Sequence, residues 1–225
     1  MIVFDCDGVL VDSEIISANV LVEYLGSLDI HIEYDYVQSQ YLGRSFSYVV
    51  EDVTDKYNVS LPDNLEEIYQ QKLQHAFNNE LKPIQGIADI LSHLSVDYCL
   101  ASSSSLKRIK NSLDITSLTQ WFRDRIFSAE QVENGKPAPD LFLLAADVMA
   151  YSPDNCLVIE DSLSGVQAAK TAGMEVIRFI GGSHLKHKKT QILSDKNMNI
   201  PVIDEWPAFF KRWPELKKNE FSGRG

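Results

Sequence analysis

Long hydrophobic runs are missing from this sequence. No stretch approaches the ~20 apolar residues that a membrane-spanning helix needs, and the chain passes from Ile2-Val3-Phe4 directly to acidic residues, so neither a membrane anchor nor a signal peptide is expected. Cysteines are also few: Cys6, Cys99 and Cys156 are odd in number, and none belongs to a Cys-x-x-Cys pair. This pattern disfavours a disulfide framework or a zinc site and predicts a reducing, cytoplasmic location.

Positive charge is in short supply as well. Lys and Arg number 21 against 32 Asp and Glu, which gives a formal net charge of −11. Such a chain repels nucleic acids and anionic membranes, so neither is expected as a partner. A small phosphorylated metabolite can still bind if a cation and a few donors are concentrated in one place. The expected state is a monomer, with a homodimer as the alternative.

Short β-rich runs alternate with helical patterns through most of the chain. The runs are apolar on both faces, as is typical of parallel strands covered by helices. Strands are predicted at 1–4, 98–101, 125–128, 156–159, 175–179 and 200–203, and helices at 87–94, 106–113, 140–150 and 163–172. This order predicts an α/β fold: a doubly wound, Rossmann-like parallel sheet with its site at the carboxyl ends of the strands.

The interval from residue 15 to residue 81 breaks this alternation. Its patterns predict helices at 14–27, 45–57 and 63–79 and no strand. An all-helical block between the first and second strands is typical of an inserted domain. The predicted organisation is a core of residues 1–14 plus 82–225 and a helical cap of residues 15–81. A short helix with a basic end is expected at 206–216.

Pairs of carboxylates follow two of the predicted strands. Asp5 and Asp7, with Gly8 after them, follow the first strand and share one of its faces, while Glu160 and Asp161 follow the run at 156–159. Taken alone, each pair also has a purely structural explanation. The first could simply precede a turn at Gly8, and in the second Asp161 could be a helix N-cap. Parallel strands bring their carboxyl ends together, however, and oxygen ligands of this kind suit Mg²⁺.

Two further segments could supply positive charge and donors. Ser102 and Ser103 end a strand just before a helix, where hydroxyls and free backbone amides make an anion site, although they could also serve only as caps. Lys136 lies in Gly135-Lys136-Pro137, where flanking prolines restrict the loop. The alternative interpretation is that Lys136 is a solvent-exposed lysine with no functional role.

These segments together resemble the four ordered motifs of the haloacid dehalogenase superfamily. The motifs are residues 4–13 (FDCDGVLVDS), the serine after Leu100-Ala101, Gly135-Lys136-Pro137 and residues 159–162 (IEDS), in the family's order. The helical insertion after the first motif resembles the cap of phosphoglycolate phosphatases, sugar-phosphate phosphatases and β-phosphoglucomutase.

The resemblance implies a Mg²⁺-dependent phosphatase that acts on a sugar phosphate, a sugar acid phosphate or a phosphoglycolate-like molecule. It implies that Asp5 forms an aspartyl phosphate and that Asp7 is the general acid and base. Mg²⁺ would be held by the side chains of Asp5 and Asp161 and by the backbone carbonyl of Asp7. Glu160 would bind the ion either directly or through a water molecule.

The same resemblance implies roles for the phosphate-binding residues and for the residues of the cap. Ser102, backbone amides and Lys136 would neutralise the oxygens of the transferred phosphoryl group. Gly43 and Arg44 would lie in the cap's substrate-specificity loop, with Arg44 binding a carboxylate or a second anionic group. The alternative for Arg44 is a solvated side chain at a helix start.

A β-phosphoglucomutase is the nearest alternative. Counting from Asp5, Ser17 stands where the mutase has a histidine, and counting from Gly43, Phe46 stands where it has an arginine. Both departures favour a phosphatase. A phospho-accepting receiver domain and a non-catalytic binding protein are alternatives of a different class. His184 is expected to serve packing or the surface, with the rim of the cleft as its alternative.

Overall fold

The computed structural model describes residues 1–42, 44–194 and 199–218. Its strands are β1 (Ile2–Phe4), β2 (Tyr98–Ser102), β3 (Ile126–Ser128), β4 (Leu157–Glu160), β5 (Glu175–Phe179) and β6 (Val202–Ile203). They form one parallel sheet in the order β3-β2-β1-β4-β5-β6. Every strand that the sequence predicts is therefore present, with bounds that differ by at most two residues, and the order of the strands in the sheet differs from their order along the chain.

The central strand β1 is paired on both sides. Val3 lies opposite Cys99 of β2 on one side and opposite Val158 of β4 on the other. The chain order reverses at this point, because β2 and β3 lie on one side of β1 and β4 to β6 on the other. Ligands of doubly wound sheets bind at such a switch point, just beyond the carboxyl end of the strand.

Four helices are described between β1 and residue 81: α1 (Glu14–Gly26), α2 (Tyr34–Gln40), α3 (Phe46–Tyr57) and α4 (Leu65–Glu80). Three agree with the sequence patterns, and α2 is additional. It has only seven residues, and the side chain of Glu33 before it makes no capping hydrogen bond, so neither length nor an N-cap reveals it in the sequence. The division into a core of 1–14 plus 82–225 and a cap of 15–81 stays a prediction.

The helices after residue 81 lie on both faces of the sheet. They are α5 (Ile87–His93), α6 (Leu106–Ile115), α7 (Thr119–Phe122), α8 (Asp140–Val148), α9 (Leu163–Thr171), α10 (Lys189–Ser194) and α11 (Phe209–Arg212). Phe4 packs in one hydrophobic cluster with α5 and α6, while Val3 packs in another with α8 and α9. This two-sided packing confirms the doubly wound fold. In the described part of the chain, no helix is long and apolar enough to cross a membrane.

The helix predicted at 206–216 is divided into three short pieces. A 3-10 turn at Trp206–Ala208 leads into α11, and a second 3-10 turn follows at Pro214–Leu216. Pro214 lacks the N–H that a continuing α-helix requires, so α11 ends before it. Trp206 and Phe209 are nonetheless fully buried against the core.

Candidate active site

Asp5 and Asp7 follow β1 at the centre of the sheet. The N–H of Asp5 still donates to Ile159 O of β4 (2.9 Å), so the sheet fixes the backbone of the first aspartate. Gly8 then adopts a φ of +78°, which glycine does readily, and its N–H donates to Val11 O (2.8 Å). This turn ends the strand and leaves both carboxylates lining one cavity.

Lys136 bridges two buried carboxylates. Its Nζ donates to Asp5 Oδ1 (2.6 Å), to Glu160 Oε2 (2.8 Å) and to Ala101 O (3.1 Å). Burial acts to lower the pKa of Lys136, but the charges of Asp5 and Glu160 outweigh burial and raise this pKa above its ordinary value. The ammonium group is therefore charged at neutral pH and compensates the two carboxylates.

Glu160 has partners on both carboxylate oxygens. Its Oε1 accepts hydrogen bonds from the N–H of Asp161 (3.1 Å) and from the N–H and hydroxyl of Ser162 (2.9 and 2.8 Å). Its Oε2 accepts from Lys136. The carboxylate lies against Gly165 of α9, where an added Cβ would overlap it. Glycine at this position therefore leaves the room that Glu160 occupies.

Asp5, Glu160 and Asp161 could together hold a metal ion. Each offers one carboxylate oxygen, and these three oxygens lie within 4.8 Å of one another. Burial raises the pKa values of Asp5 and Asp161, and the charge of Glu160 raises them further. One lysine thus faces three carboxylates, and buried oxygen donors in this number suit a hard divalent cation. The residues fit the predicted Mg²⁺.

Asp7 accepts hydrogen bonds on both of its oxygens. Ser13 Oγ (2.6 Å) and Arg108 Nη2 (2.9 Å) donate to Oδ1, and Ser104 Oγ (2.7 Å) donates to Oδ2. Burial acts to raise the pKa of Asp7, but the charge of Arg108 and the hydrogen bonds from Ser13 and Ser104 outweigh it and lower this pKa. The carboxylate is therefore ionised and fixed in direction.

The ends of the strands and the helices α1 to α4 line a cavity of about 130 Å³. Asp5, Asp7 and Lys136 line it from the sheet, and Ser17 of α1 and Phe46 of α3 line it from the other side. The Ser17 hydroxyl donates to Ser13 O (2.9 Å) and accepts from Arg108 Nη2 (3.1 Å). The two positions that depart from the mutase pattern therefore both line the cavity that the carboxylates line.

The sequence profile of haloacid dehalogenase-like hydrolases matches residues 2–179 of the chain. The chain belongs to this family. The matched range runs from β1 to the end of β5 and includes the helical insertion, so the predicted family and fold are both confirmed. The family match also shows that the chain is an enzyme and not the receiver domain that was considered as an alternative.

Named relatives of this haloacid dehalogenase-like hydrolase cover nearly all of it. A 6-phosphogluconate phosphatase of Escherichia coli is 30% identical, with 92% of this chain and 93% of the relative covered. A probable pseudouridine-5'-phosphatase of Drosophila melanogaster is 32% identical, with 92% and 94% covered. The crystal structure of a conserved haloacid dehalogenase-like protein from Agrobacterium tumefaciens has a TM-score of 0.76 at 30% identity, with 96% and 97% covered. The prediction of a phosphoric monoester hydrolase is borne out.

The other predicted residues of this hydrolase differ in their distance from the carboxylates. Ser102 is buried at the end of β2, with its hydroxyl 3.5 Å from Asp7 Oδ2. Ser103 lines the cavity. Arg44 also lines it but is exposed, and its guanidinium lies 4.4 Å from the centre of the Tyr48 ring. Gly43 lies outside the described residues.

Arg108 and Glu14 are the residues that sequence reasoning missed. Arg108 follows the N-cap Ser105 of α6 by three residues, and its Nε has no hydrogen-bond partner among the described residues. A basic residue one turn into the helix after the phosphate-site serines is the signal that could have found it. Burial, followed by the charge of Asp7, raises the pKa of Glu14 to about 8.

His184 lies closer to the carboxylates than the sequence suggests. It is buried in the 3-10 turn Ser183–Lys188, and its Nε2 lies 3.0 Å from Asp161 Oδ2. The expectation of a packing or surface role therefore needs correction: the side chain is packed, but its polar edge faces the acidic cluster. Burial lowers the pKa of His184, so its imidazole is neutral and donates through Nε2.

Proposed function

We propose that this protein is a Mg²⁺-dependent phosphatase of a small phosphorylated metabolite, with Asp5 as the nucleophile. The observation that carries the proposal is the pairing of Asp5 with Lys136 at 2.6 Å, in a cavity that Asp7 also lines. Lys136 holds one oxygen of Asp5 and thereby orients the other toward a phosphate in the cavity.

The reaction would proceed in two steps. In the first, a carboxylate oxygen of Asp5 bonds to phosphorus as the bond from phosphorus to the ester oxygen breaks, and an aspartyl phosphate forms. Asp7, which would first take up a proton from solvent as the negative charge of the phosphate enters the cavity, gives that proton to the leaving alcohol. In the second, Asp7 takes a proton from water, which attacks phosphorus and releases phosphate from Asp5.

Three groups of the chain would bind the transferred phosphoryl group. Lys136 supplies positive charge, and Ser102 and Ser103 with the backbone amides before α6 supply donors. Ser104 and Arg108, which donate to Asp7 at 2.7 and 2.9 Å, keep its carboxylate aimed at the same place. Replacement of Ser104 by alanine should reduce turnover while the protein remains folded.

Asp5, the backbone carbonyl of Asp7 and Asp161 would hold Mg²⁺. When bound, the ion neutralises negative charge on the phosphate oxygens. Glu160 would bind the ion directly or through water, and its two oxygens also accept hydrogen bonds from Ser162, the Asp161 N–H and Lys136. Its part is to fix Lys136 and the backbone that follows β4.

A substrate with a second anionic group fits this cavity best. Arg108 carries a charge, and its Nε has no hydrogen-bond partner in the described part of the chain; the exposed Arg44 lines the same cavity. A relative that acts on 6-phosphogluconate, a sugar acid phosphate, gives the same indication. We therefore place sugar acid phosphates ahead of neutral sugar phosphates and phosphoglycolate-like molecules as substrates.

Water is the proposed acceptor in the second step, as opposed to a sugar hydroxyl. Ser17 and Phe46 occupy the wall of the cavity where the mutase pattern has a histidine and an arginine. Ser17 is engaged with Ser13 and Arg108, and Phe46 stacks on Tyr69 with ring centroids 5.1 Å apart. Neither offers a cation to a second phosphate.

Phosphate release from a panel of phosphorylated metabolites tests the proposal. With Mg²⁺, the wild type should hydrolyse at least one sugar acid phosphate, and Asp5→Asn should lose roughly a thousandfold or more in kcat while keeping its folded-state spectrum. Asp63→Asn, the same change at an exposed position before α4, is the matched control. Near-wild-type turnover by Asp5→Asn would exclude the nucleophile assignment. Glucose 6-phosphate formed from β-glucose 1-phosphate would instead support a mutase.

The remaining expectations about setting stay predictions. They are a cytoplasmic location, a monomer or homodimer, and the absence of nucleic acid and membrane partners. The buried, unbridged state of all three cysteines is compatible with a reducing compartment.

A further inference from the structure

We propose that His184 is the positioning residue that orients the Asp161 carboxylate for the metal ion and ties that carboxylate to helix α2. The inference rests on the proposed metal site and extends it to a residue outside the four motifs. It assigns a role to the Gly181-Gly182-Ser183-His184 segment, which the proposed mechanism leaves unused.

The local geometry is built to bring His184 onto Asp161. The imidazole Nε2 lies 3.0 Å from Asp161 Oδ2, with side-chain exposures of 7% and 4%. An added Cβ on Gly8 would overlap Asp161 Oδ2 and lie 2.9 Å from His184 Cε1. An added Cβ on Gly182 would lie 2.8 Å from His184 Nδ1. Two glycines therefore leave the space in which this pair meets.

Hydrogen bonds on either side hold His184 in that place. Ser183 donates through its N–H (2.9 Å) and its hydroxyl (2.7 Å) to Asp12 Oδ1, which docks the segment on the loop after β1. Gln38 of α2 donates to His184 O (2.6 Å), and Lys188 Nζ donates to Gln38 Oε1 (3.1 Å). One residue thus contacts the acidic cluster through its side chain and α2 through its carbonyl.

A neutral imidazole suits this position. Its Nδ1 has no hydrogen-bond partner among the described residues, so Nε2 carries the proton and donates to Asp161. One oxygen of Asp161 is then held by His184, and the other is left for a cation. Partners of this kind fix the direction of metal-binding side chains, and their loss typically costs about 10- to 100-fold in metal affinity.

Two variants of similar volume separate donation from packing. His184→Leu fills the space without a donor, and His184→Gln keeps an amide N–H near the position of Nε2. Isothermal titration calorimetry of Mg²⁺ into the substrate-free protein should give a Kd about 10- to 100-fold weaker for His184→Leu. His184→Gln should stay within about threefold of the wild type. Thermal unfolding in EDTA checks that both variants are folded.

Asp161→Asn is the reference for the metal site itself. If it binds Mg²⁺ as tightly as the wild type, the proposed metal site is wrong. If Asp161→Asn loses binding but His184→Leu binds Mg²⁺ as tightly as the wild type, or more tightly, only the role of His184 is refuted. Equal weakening by Leu and Gln would also refute it, because packing would then explain the loss.

Gln38→Leu tests the contact with α2. It removes the hydrogen bond to His184 O and leaves the imidazole in place. We expect it to raise KM for the phosphorylated substrate several-fold and to leave the Mg²⁺ Kd within about threefold of the wild type. An unchanged KM would show that α2 does not depend on this contact.

Discussion

Removal of the Lys136 charge should destabilise the fold even without substrate or metal. In the native structure, Lys136 Nζ lies 2.6 Å from Asp5 Oδ1 and 2.8 Å from Glu160 Oε2, and the three side chains are 2%, 9% and 1% exposed. Lys136→Met keeps most of the aliphatic chain and removes only the ammonium group. Two carboxylates then share a buried site with no cation between them.

The size of the effect follows from the burial of these charges. Breaking a buried ion pair by removing one partner costs about 3–5 kcal/mol, because the remaining charge is left without compensation. Two carboxylates are left here, but one of them can take up a proton, so we expect the loss to stay near this range rather than to double. A solvent-exposed lysine contributes far less, typically within about 0.5 kcal/mol.

Equilibrium urea unfolding in EDTA measures this loss, with Lys110→Met on the exposed side of α6 as the matched control. We expect the free energy of unfolding to fall by about 3–5 kcal/mol for Lys136→Met and by no more than about 0.5 kcal/mol for the control. A loss of less than about 1 kcal/mol at Lys136 would mean that the carboxylates do not depend on its charge, and the electrostatic reasoning about this cluster would be refuted.

Three further substitutions test separate parts of the site. Asp7→Asn should block turnover but leave Mg²⁺ affinity largely intact, because only its backbone carbonyl would bind the ion; a calorimetric loss as large as that of Asp161→Asn would contradict this. Arg44→Ala should raise KM about tenfold for a sugar acid phosphate and less for an aryl phosphate, and equal effects on both would argue against a specificity role. Gly165→Ala should lower the free energy of unfolding by about 1–3 kcal/mol in urea titrations, because its Cβ overlaps Glu160; a gain, as helix propensity alone gives, would show that Glu160 moves without cost.

The central carboxylates could be located from the sequence because of a simple rule of sheet geometry. Asp5 and Asp161 follow strands that turn out to be neighbours, β1 and β4, in register with Phe4 opposite Ile159. Parallel neighbours end at the same edge, so residues just beyond them meet whatever the loops do. The position of Lys136 could not be predicted by this rule, because its loop follows β3 and must reach across β2 to β1. Only the resemblance to a family with known motifs indicated that Lys136 lies at the site.

The positions of side chains that reach the site from helices and distant loops could not be predicted from the sequence by this rule. Arg108 reaches Asp7 because α6 turns that face toward the cavity, and helix rotation is set by the packing of Ile109 and Leu113 rather than by any local signal. His184 reaches Asp161 only because Gly8 and Gly182 leave space, which is a property of three segments at once. Sequence patterns report periodicity and turns, whereas these contacts depend on tertiary packing.

The two aspartates of the first motif show how different surroundings shift the pKa values of identical side chains in opposite directions. Asp5 and Asp7 are two residues apart, yet burial and Glu160 raise the pKa of the first, whereas Arg108 and hydroxyl donors lower the pKa of the second. Arg108 pairs with Asp7, whereas Lys136 pairs with both Asp5 and Glu160. Counted together in their ionised forms, the four carboxylates of Asp5, Asp7, Glu160 and Asp161 and these two cations give a formal charge of −2. One divalent ion would cancel the excess negative charge of these side chains, and a phosphate group would bring further negative charge that increases the need for a cation. The electrostatic balance of the site is therefore the physical reason for the proposed dependence on Mg²⁺.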